Sequence, residues 1–433
     1  MALEEAGIPS VAVHTHVFAR LARATALANG MPRTRQAYVP QPVVDRTPAE
    51  LRAYIEANDP VSGRPFVQEV LEGLTRPLDE QDLKGVSFER STPRLVASDS
   101  EDNLQRLFME NGWTDFLPIT LPTEERVAAM LKGTSHPPDE IVGRMRPTSF
   151  REFWEFTVEK VAVNAVMAGA RPEYFPVILA LAASGCTARS SSTTSMANLA
   201  VVNGPIRHEI GMNAGIGAMG PYNHANVTIG RAYGLLSQNL QGGSLPDESY
   251  MGTLGNALAY SLCFAENEER SPWEPLHVQK GFKPTDSTVS VFFGARYTQE
   301  GYGPRDTWEE KMRRCLAAGA HFPPLLVLDP IVARLFKGRG IETKQQLIDW
   351  CAANACLPAR EYWDDQWVQT LLRPLGVAGV EPYATRLKAA PDDIVQMFEP
   401  NEINVVVTGG ETQGAWKMIG VRHERTISVD TWR

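Results

Sequence analysis

The sequence predicts an α/β fold, with two parallel-sheet α/β modules around a helical middle region. Three observations carry it. An apolar stretch, a helical stretch and a second apolar stretch follow one another between Pro9 and Val39, the order of a βαβ unit. A second β-then-α pattern, PLLVLD followed by PIVARLF, starts at Pro324. Between them the middle of the chain is dominated by helical periodicity. At 433 residues the chain exceeds one ordinary core. The expected division is an N-terminal module over 1–90 and a larger domain over 91–433, separable into 91–285 and 286–433.

Each element has a local reason. Pro9–Val13 reads as a strand, Phe18–Asn29 as a helix closed by Gly30, and Ala37–Val39 as the next strand. Thr47 with Glu50 three residues on has the form of a capping box. Residues 58–100 alternate short helices with Pro and Gly breaks. Val158, Val161, Ala165 and Ala168 fall on one stripe of a helix over Thr157–Ala170. Arg171-Pro172 ends it, and PEYFPVILALAA opens another with Pro in its first turn. Both are apolar nearly all round, so both are expected to be buried. LAVVNG is a buried strand, His224–Leu240 a helix, and TVSVFFGA a strand. Pro324–Asp329, Pro330–Phe336 and Thr343–Ala355 give strand, helix and helix, and INVVVTGG a last strand ending in a glycine turn.

Composition narrows the function. Hydrophobic content of 43% with 21% charged residues is that of a soluble globular protein. A net charge of -9 without clustered Lys or Arg argues against nucleic acid as a partner, because phosphate neutralisation needs grouped cations. No apolar run approaches the roughly 20 residues that span a bilayer, and the acidic N-terminus is unlike a signal peptide. A cytoplasmic protein is expected. Five cysteines (186, 263, 315, 351, 356) show no CxxC spacing. Cys351 and Cys356, on an expected helix, read as structural.

Two runs concentrate chemistry-bearing residues. NGPIRHEIGMNAGIGAMGPYNHANVTIGR, from Asn203 to Arg231, gathers glycine, asparagine and histidine with little bulky apolar content. Glycine there marks tight turns or close approach of the backbone to something else. CFAENEERSPWEPLH, from Cys263 to His277, adds clustered carboxylates, Trp273 and His277. We expect the two runs to form opposite walls of one polar site. Asn203 ends a strand, where α/β proteins place ligands; a turn Asn bonding its own backbone is the alternative. His208 and His224 suit either proton transfer near neutral pH or, with a carboxylate, a divalent metal. The glycine spacing matches neither the phosphate loop nor the dinucleotide fingerprint. Glu266 or Glu269 is expected to point inward beside Trp273, Glu274 and His277; an acidic surface turn is the rival. Ser190–Thr194 offers hydroxyls for an anion or for capping. Cys186, near Arg189, is a possible nucleophile. His14 and His16, two apart on an expected strand, share a face.

Several runs together resemble a bacterial family associated with, or fused to, a small domain bearing a Cys- or selenocysteine-Gly-Ser-Cys motif (UGSC). They are GIPSVAVHTHVFARLARATALANGMP, TVEKVAVNAVMAGARPEYFPVILA, VVNGPIRHEIGMNAGIGAMGP, ANVTIGRAYGLL, CFAENEERSPWEPLHVQKGF and LLVLDPIVARLFKGRG. The first is similar to the later part of the small domain, the others to its larger partner. The resemblance implies a fusion of two α/β modules and a thiol-linked small-molecule activity. Cys-Gly-Ser-Cys itself does not occur in the chain. Ala170 stands where the relatives often carry Cys, and Asp329-Pro330-Ile331 where they often carry Pro-Glu-His.

The expected protein is therefore a homodimeric enzyme acting on a small polar molecule by acid–base chemistry, of lyase, hydratase or hydrolase type. His208, His224, Glu266 and Glu269 would move protons. Asn203, Arg207, Asn213, Asn226, Arg231, Trp273 and His277 would hold substrate, the arginines gripping an anionic group. No cofactor is specified, a divalent metal remaining open. A thiol oxidoreductase using Cys186 or Cys263, and a non-catalytic binding subunit, are the rivals.

Overall fold

Capping and turn chemistry set most of the elements. The computed structural model describes residues 8–28, 34–43, 46–77, 93–144, 155–189, 196–241, 255–256, 263–295, 298–302, 307–319 and 322–433. Near the N-terminus β1 (Ala12–Thr15), α1 (Ala19–Ala28) and β2 (Gln36–Val39) form a βαβ unit whose strands pair in parallel, Ala12 opposite Gln36. The first strand starts later than expected because Pro9 has no N–H to donate to a ladder. His14 lies in β1, but His16 already opens a 3-10 turn, so the two rings do not share a strand face. The expected cap Gly30 lies outside the described residues. Helix α2 (Pro48–Glu56) begins with the Thr47–Glu50 capping box, and α3 (Phe66–Thr75) packs on β2.

Helices α4 (Glu101–Glu110) and α5 (Glu124–Leu131) are capped by Ser100 and Thr123. A small antiparallel pair, β3 (Ile141–Arg144) with β4 (Glu155–Thr157), leads into α6 (Val158–Met167) and α7 (Phe175–Ala183). As their all-round apolar sequences predict, α6 and α7 are almost wholly buried. The chain continues through β5 (Ala197–Asn203), α8 (Ile206–Glu209), α9 (His224–Asn239), β6 (Cys263–Ala265), α10 (Leu276–Gln279), β7 (Thr288–Ala295) and β8 (Thr298–Tyr302). Then come α11 (Trp308–Ala317), β9 (Pro324–Leu328), α12 (Pro330–Gly338) and α13 (Lys344–Asn354). The α12 cap is Asp329, whose carboxylate accepts from Val332 N at 2.8 Å, and α13 starts with a Thr343–Gln346 capping box. A short antiparallel pair, β10 (Cys356–Pro358) with β11 (Ile394–Gln396), precedes β12 (Asn404–Val407), β13 (Ala415–Gly420) and β14 (Arg422–Ser428). Cys356 thus sits past the end of the helix that holds Cys351.

The α/β class is as predicted, and side-chain alternation builds it into four layers. Leu199 and Val201 of β5 and Phe292 of β7 face Leu325 and Val327 of β9 and Val406 of β12 across a sheet-on-sheet interface. The alternate residues Ala200 and Val202 pack outward on α6, α7 and α9. Leu326, Leu328, Val405 and Val407 pack outward on α11, α12 and α13. Two sheets are therefore sandwiched between two helical layers, with β5, β9 and β12 buried on both faces, which explains their near-continuous apolar runs. Both sheets are mixed: each has one parallel pair at an edge and antiparallel strands beyond it.

The two sheets repeat one topology. The first has the order β6-β5-β7-β14 and the second β12-β9-β13-β8. In each, the first two strands are parallel and the next two antiparallel. The last strands are exchanged, since β8 follows β7 in the chain but completes the second sheet, and β14 follows β13 but completes the first. Register fixes the equivalences: Asn203 matches Asp329, Glu266 matches Thr408, and Thr288 matches Ala415. The equivalent bonds Glu266 N to Val202 O and Thr408 N to Leu328 O measure 3.1 and 2.9 Å.

Candidate functional site

The C-terminal ends of the parallel pairs meet where edge strands β6 and β12 come together. Asn267 N donates to Val407 O at 2.7 Å, and Thr408 Oγ1 donates to Ala265 O at 2.7 Å. Strand ends leave backbone groups and side chains pointing beyond the sheet, and here that space is polar.

Glu266 is its centre. The residue is fully buried, and its carboxylate accepts from Asn203 Nδ2 at 2.7 Å, Leu276 N at 2.7 Å, Lys344 Nζ at 2.6 Å and Val407 N at 3.3 Å. These four donors replace the water that a buried carboxylate gives up. Lys344, equally buried, opens α13, where the helix dipole disfavours a cation, so Glu266 is its compensation.

Glu268 comes next. Its Oε1 accepts from Asn203 Nδ2 at 2.9 Å and Gly204 N at 2.8 Å, and its Oε2 lies 3.0 Å from Arg207 Nη2. Gly204 adopts φ +84°, and a Cβ there would fall 2.1 Å from Asp286 O, so only glycine fits this turn. His277 is fully buried, with Nδ1 3.9 Å from Glu268 Oε1 and no hydrogen-bond partner at either ring nitrogen among the described residues. Asn203 Oδ1 and Thr288 Oγ1 are likewise buried without a partner among those residues.

The outer edge of the cluster reaches solvent. Buried Arg207 holds Glu269 through Nη2 at 2.9 Å and Nη1 at 3.3 Å, and His208 Nε2 lies 2.7 Å from Glu269 Oε1. The side chains of His208 and Glu269 are 65% and 51% exposed, so this pair is accessible from outside. Partial burial pushes the Glu269 carboxyl up, but bonds from Arg207 and His208 outweigh it and hold it at about 2.

The two sequence runs thus meet through Asn203, Arg207, His208, Glu266, Glu268 and Glu269. The other expected residues lie elsewhere or act differently. His224 opens α9 with Nδ1 3.2 Å from the Tyr174 hydroxyl, and it contacts none of these carboxylates. Arg231 grips Asp115 at 2.9 Å and Pro118 O at 2.8 Å. Asn226 receives Asn213 N and donates to the carbonyls of Asn213 and Ala218. Asn213 caps Gly215 N and reaches Ile216 O, so both amides shape the glycine-rich loop. Trp273 donates Nε1 to Ile341 O at 3.1 Å and packs in the second helical layer. Sequence reading missed Lys344, Glu268, Thr288 and Thr408. Only the first carried a signal, a lysine just inside a Thr-capped helix start.

Cys263 is buried, and burial pushes its thiol up to about 12. Cys186 is buried, with Sγ 3.7 Å from Ser184 O. Ser190–Thr194 lies outside the described residues. Among those residues no group of three His, Cys, Asp or Glu is arranged to hold a metal, and no helix is long and apolar enough to cross a membrane.

Residues 1–62 match the UGSC family, so the likeness to that family covers the βαβ unit and α2. No curated protein matches the chain.

Proposed function

We propose that this protein is an enzyme that transforms a small polar molecule by proton transfer, of lyase, hydratase or hydrolase type. The observation that carries the reading is the 2.7 Å contact between His208 Nε2 and Glu269 Oε1 at the accessible rim of a buried polar cluster. An imidazole backed by a carboxylate can take a proton and stabilise the charge it gains. Glu269 stays ionised because Arg207 grips it from behind. In this reading His208 is the proton-transfer group, Glu269 its partner, and Asn203 and His277 face the substrate. Glu266 serves as the fixed counter-charge of Lys344. His224 and Arg231 are left to structural contacts.

Burial of Cys263 and its high thiol pKa weigh against a thiol reaction, because the thiolate is the nucleophile. The described cysteines are all free, which supports a reducing cytoplasmic setting. Exposed Ile216 and Tyr222 on the glycine-rich loop support a homodimer, as apolar side chains in search of cover.

The test is turnover of a panel of small hydroxy acids, their dehydrated counterparts, and simple esters and amides. His208→Gln should lower kcat on the accepted substrate by roughly 100-fold or more, the usual worth of a general acid–base group. A variant that melts like the parent and turns over at the parent rate would end this reading.

A further inference from the structure

The orphaned polar atoms belong to three neighbouring residues of the cluster. Asn203 Nδ2 and His277 Nδ1 address the same oxygen, Glu268 Oε1, at 2.9 and 3.9 Å. Thr288 lies directly opposite Asn203 in the β5–β7 ladder, so the two side chains rise from the same face as near neighbours. All three residues are fully buried, yet Asn203 Oδ1, Thr288 Oγ1 and His277 Nε2 have no partner among the described residues. Leaving such groups unbonded costs about 1–3 kcal/mol apiece, so their retention calls for a reason.

Folding does not supply that reason. In the repeated second sheet the position matching Thr288 is Ala415, so the architecture accepts a residue without a hydroxyl there. The position matching Asn203 is Asp329, whose two oxygens are used, one by Val332 N at 2.8 Å and the other by Ala415 N at 2.6 Å. Among the described residues, only the first half leaves buried side-chain atoms without a partner at this point.

The orientation of each group is fixed by its neighbours. Both bonds of the Asn203 amide nitrogen go to glutamates, so Oδ1 faces the other way and asks for a donor. A proton on the imidazole nitrogen nearest Glu268 would suit a carboxylate that only accepts, and it would leave Nε2 with a lone pair. Two acceptors beside one hydroxyl match a guest rich in O–H donors.

We propose that this inter-sheet end is a binding subsite for the hydroxyl groups of a small polyol or hydroxy acid, donated to Asn203 Oδ1 and His277 Nε2 and completed by Thr288 Oγ1. The inference rests on the reading of the cluster as a small-molecule site and specifies what that molecule carries. Glu268 connects the subsite to the solvent-facing His208–Glu269 pair.

The experiment is 15N NMR of the histidine rings in the full-length protein, titrated with glycerol, glycolate and tartrate, with acetate and succinate as hydroxyl-free controls. In its neutral form the His277 ring should carry its proton on Nδ1 and leave Nε2 bare. A hydroxylated probe should shift the Nε2 signal saturably, and the controls should leave it unmoved. Thr288→Val should weaken that probe about tenfold, the loss of one hydrogen bond, with a Tm at or above the parent value. His208→Gln should leave probe binding intact, so binding without turnover would keep the subsite and remove only the proposed catalysis. An Nε2 that already carries a proton, an equal response to succinate, or indifference to all three hydroxylated probes would overturn the proposal. So would a high-resolution structure in glycerol showing two fixed waters alone on these atoms.

Discussion

At the residue scale, the ion pair of Glu266 and Lys344 decides whether the cluster holds together. Both side chains are fully buried and 2.6 Å apart. Their attraction offsets a desolvation cost of several kcal/mol per ion, and the backbone donors on Glu266 supply the rest. Removing one partner strands the other in a dry interior. Lys344→Met should therefore destabilise the protein by about 3–5 kcal/mol in urea unfolding. A loss below about 1 kcal/mol would mean that water reaches the carboxylate and that the cluster is wetter than its geometry indicates. The same logic separates Glu266 from its sequence neighbours. Glu269, half exposed at the rim, is free to serve chemistry, whereas Glu266 is committed to four donors. An adjacent string of acidic residues in the sequence does not reveal this division. It is set by Val407 and Lys344, which arrive from far along the chain.

At the element scale, the turn between β5 and α8 is the most constrained piece of backbone near the cluster. Gly204 has φ +84° and presses against Asp286 O, and its N–H is spent on Glu268. Gly211, at the far end of the short helix, has φ +63°, and a Cβ there would meet nothing within 4 Å. Both substitutions to Ala meet the conformational penalty of about 1 kcal/mol, but only the first adds a collision with rigid backbone. Gly204→Ala should thus cost at least about 2 kcal/mol more than Gly211→Ala, and it should loosen the Asn203–Glu268 contact. Equal melting temperatures for the two variants would refute the close approach. Elements of this kind were legible in the sequence where the cause is local. Gly-Pro after a buried strand predicts the turn, Thr47 and Thr343 predict helix starts, and the apolar α6 and α7 predict burial. What could not be read was pairing. The strands at Cys263 and Arg422 are short or polar, and each owes its place to a partner far away in the chain. The apolar runs predicted parallel sheets and gave no sign of the antiparallel strands that complete both, because burial on both faces erases the period that would distinguish the cases.

At the scale of the whole molecule, the exchanged fourth strands tie the two sheets into one object. The first sheet lacks its outer strand until the C-terminal β14 arrives, and the second lacks its own until β8 is supplied from the first half. The repeat is invisible in the sequence because its equivalent positions differ in chemistry, Asn203 against Asp329 and Glu266 against Thr408, while backbone topology alone is retained. Its consequence is cooperative. The interface formed by Leu199, Phe292, Leu325 and Val406 is fully buried, each such side chain worth about 1.5–3 kcal/mol on removal from water. Opening either sheet exposes this layer and strips the other sheet of an edge strand. Native-state hydrogen exchange should accordingly show the amides of β5, β7, β9 and β13 sharing one global opening, with one dependence on urea. If the amides of β9 and β13 instead open as a separate unit at lower urea while β5 and β7 stay protected, each sheet stands alone. The cluster at the β6–β12 junction would then be a contact between independent lobes, held mainly by the Glu266–Lys344 pair and the bonds of Thr408 and Asn267.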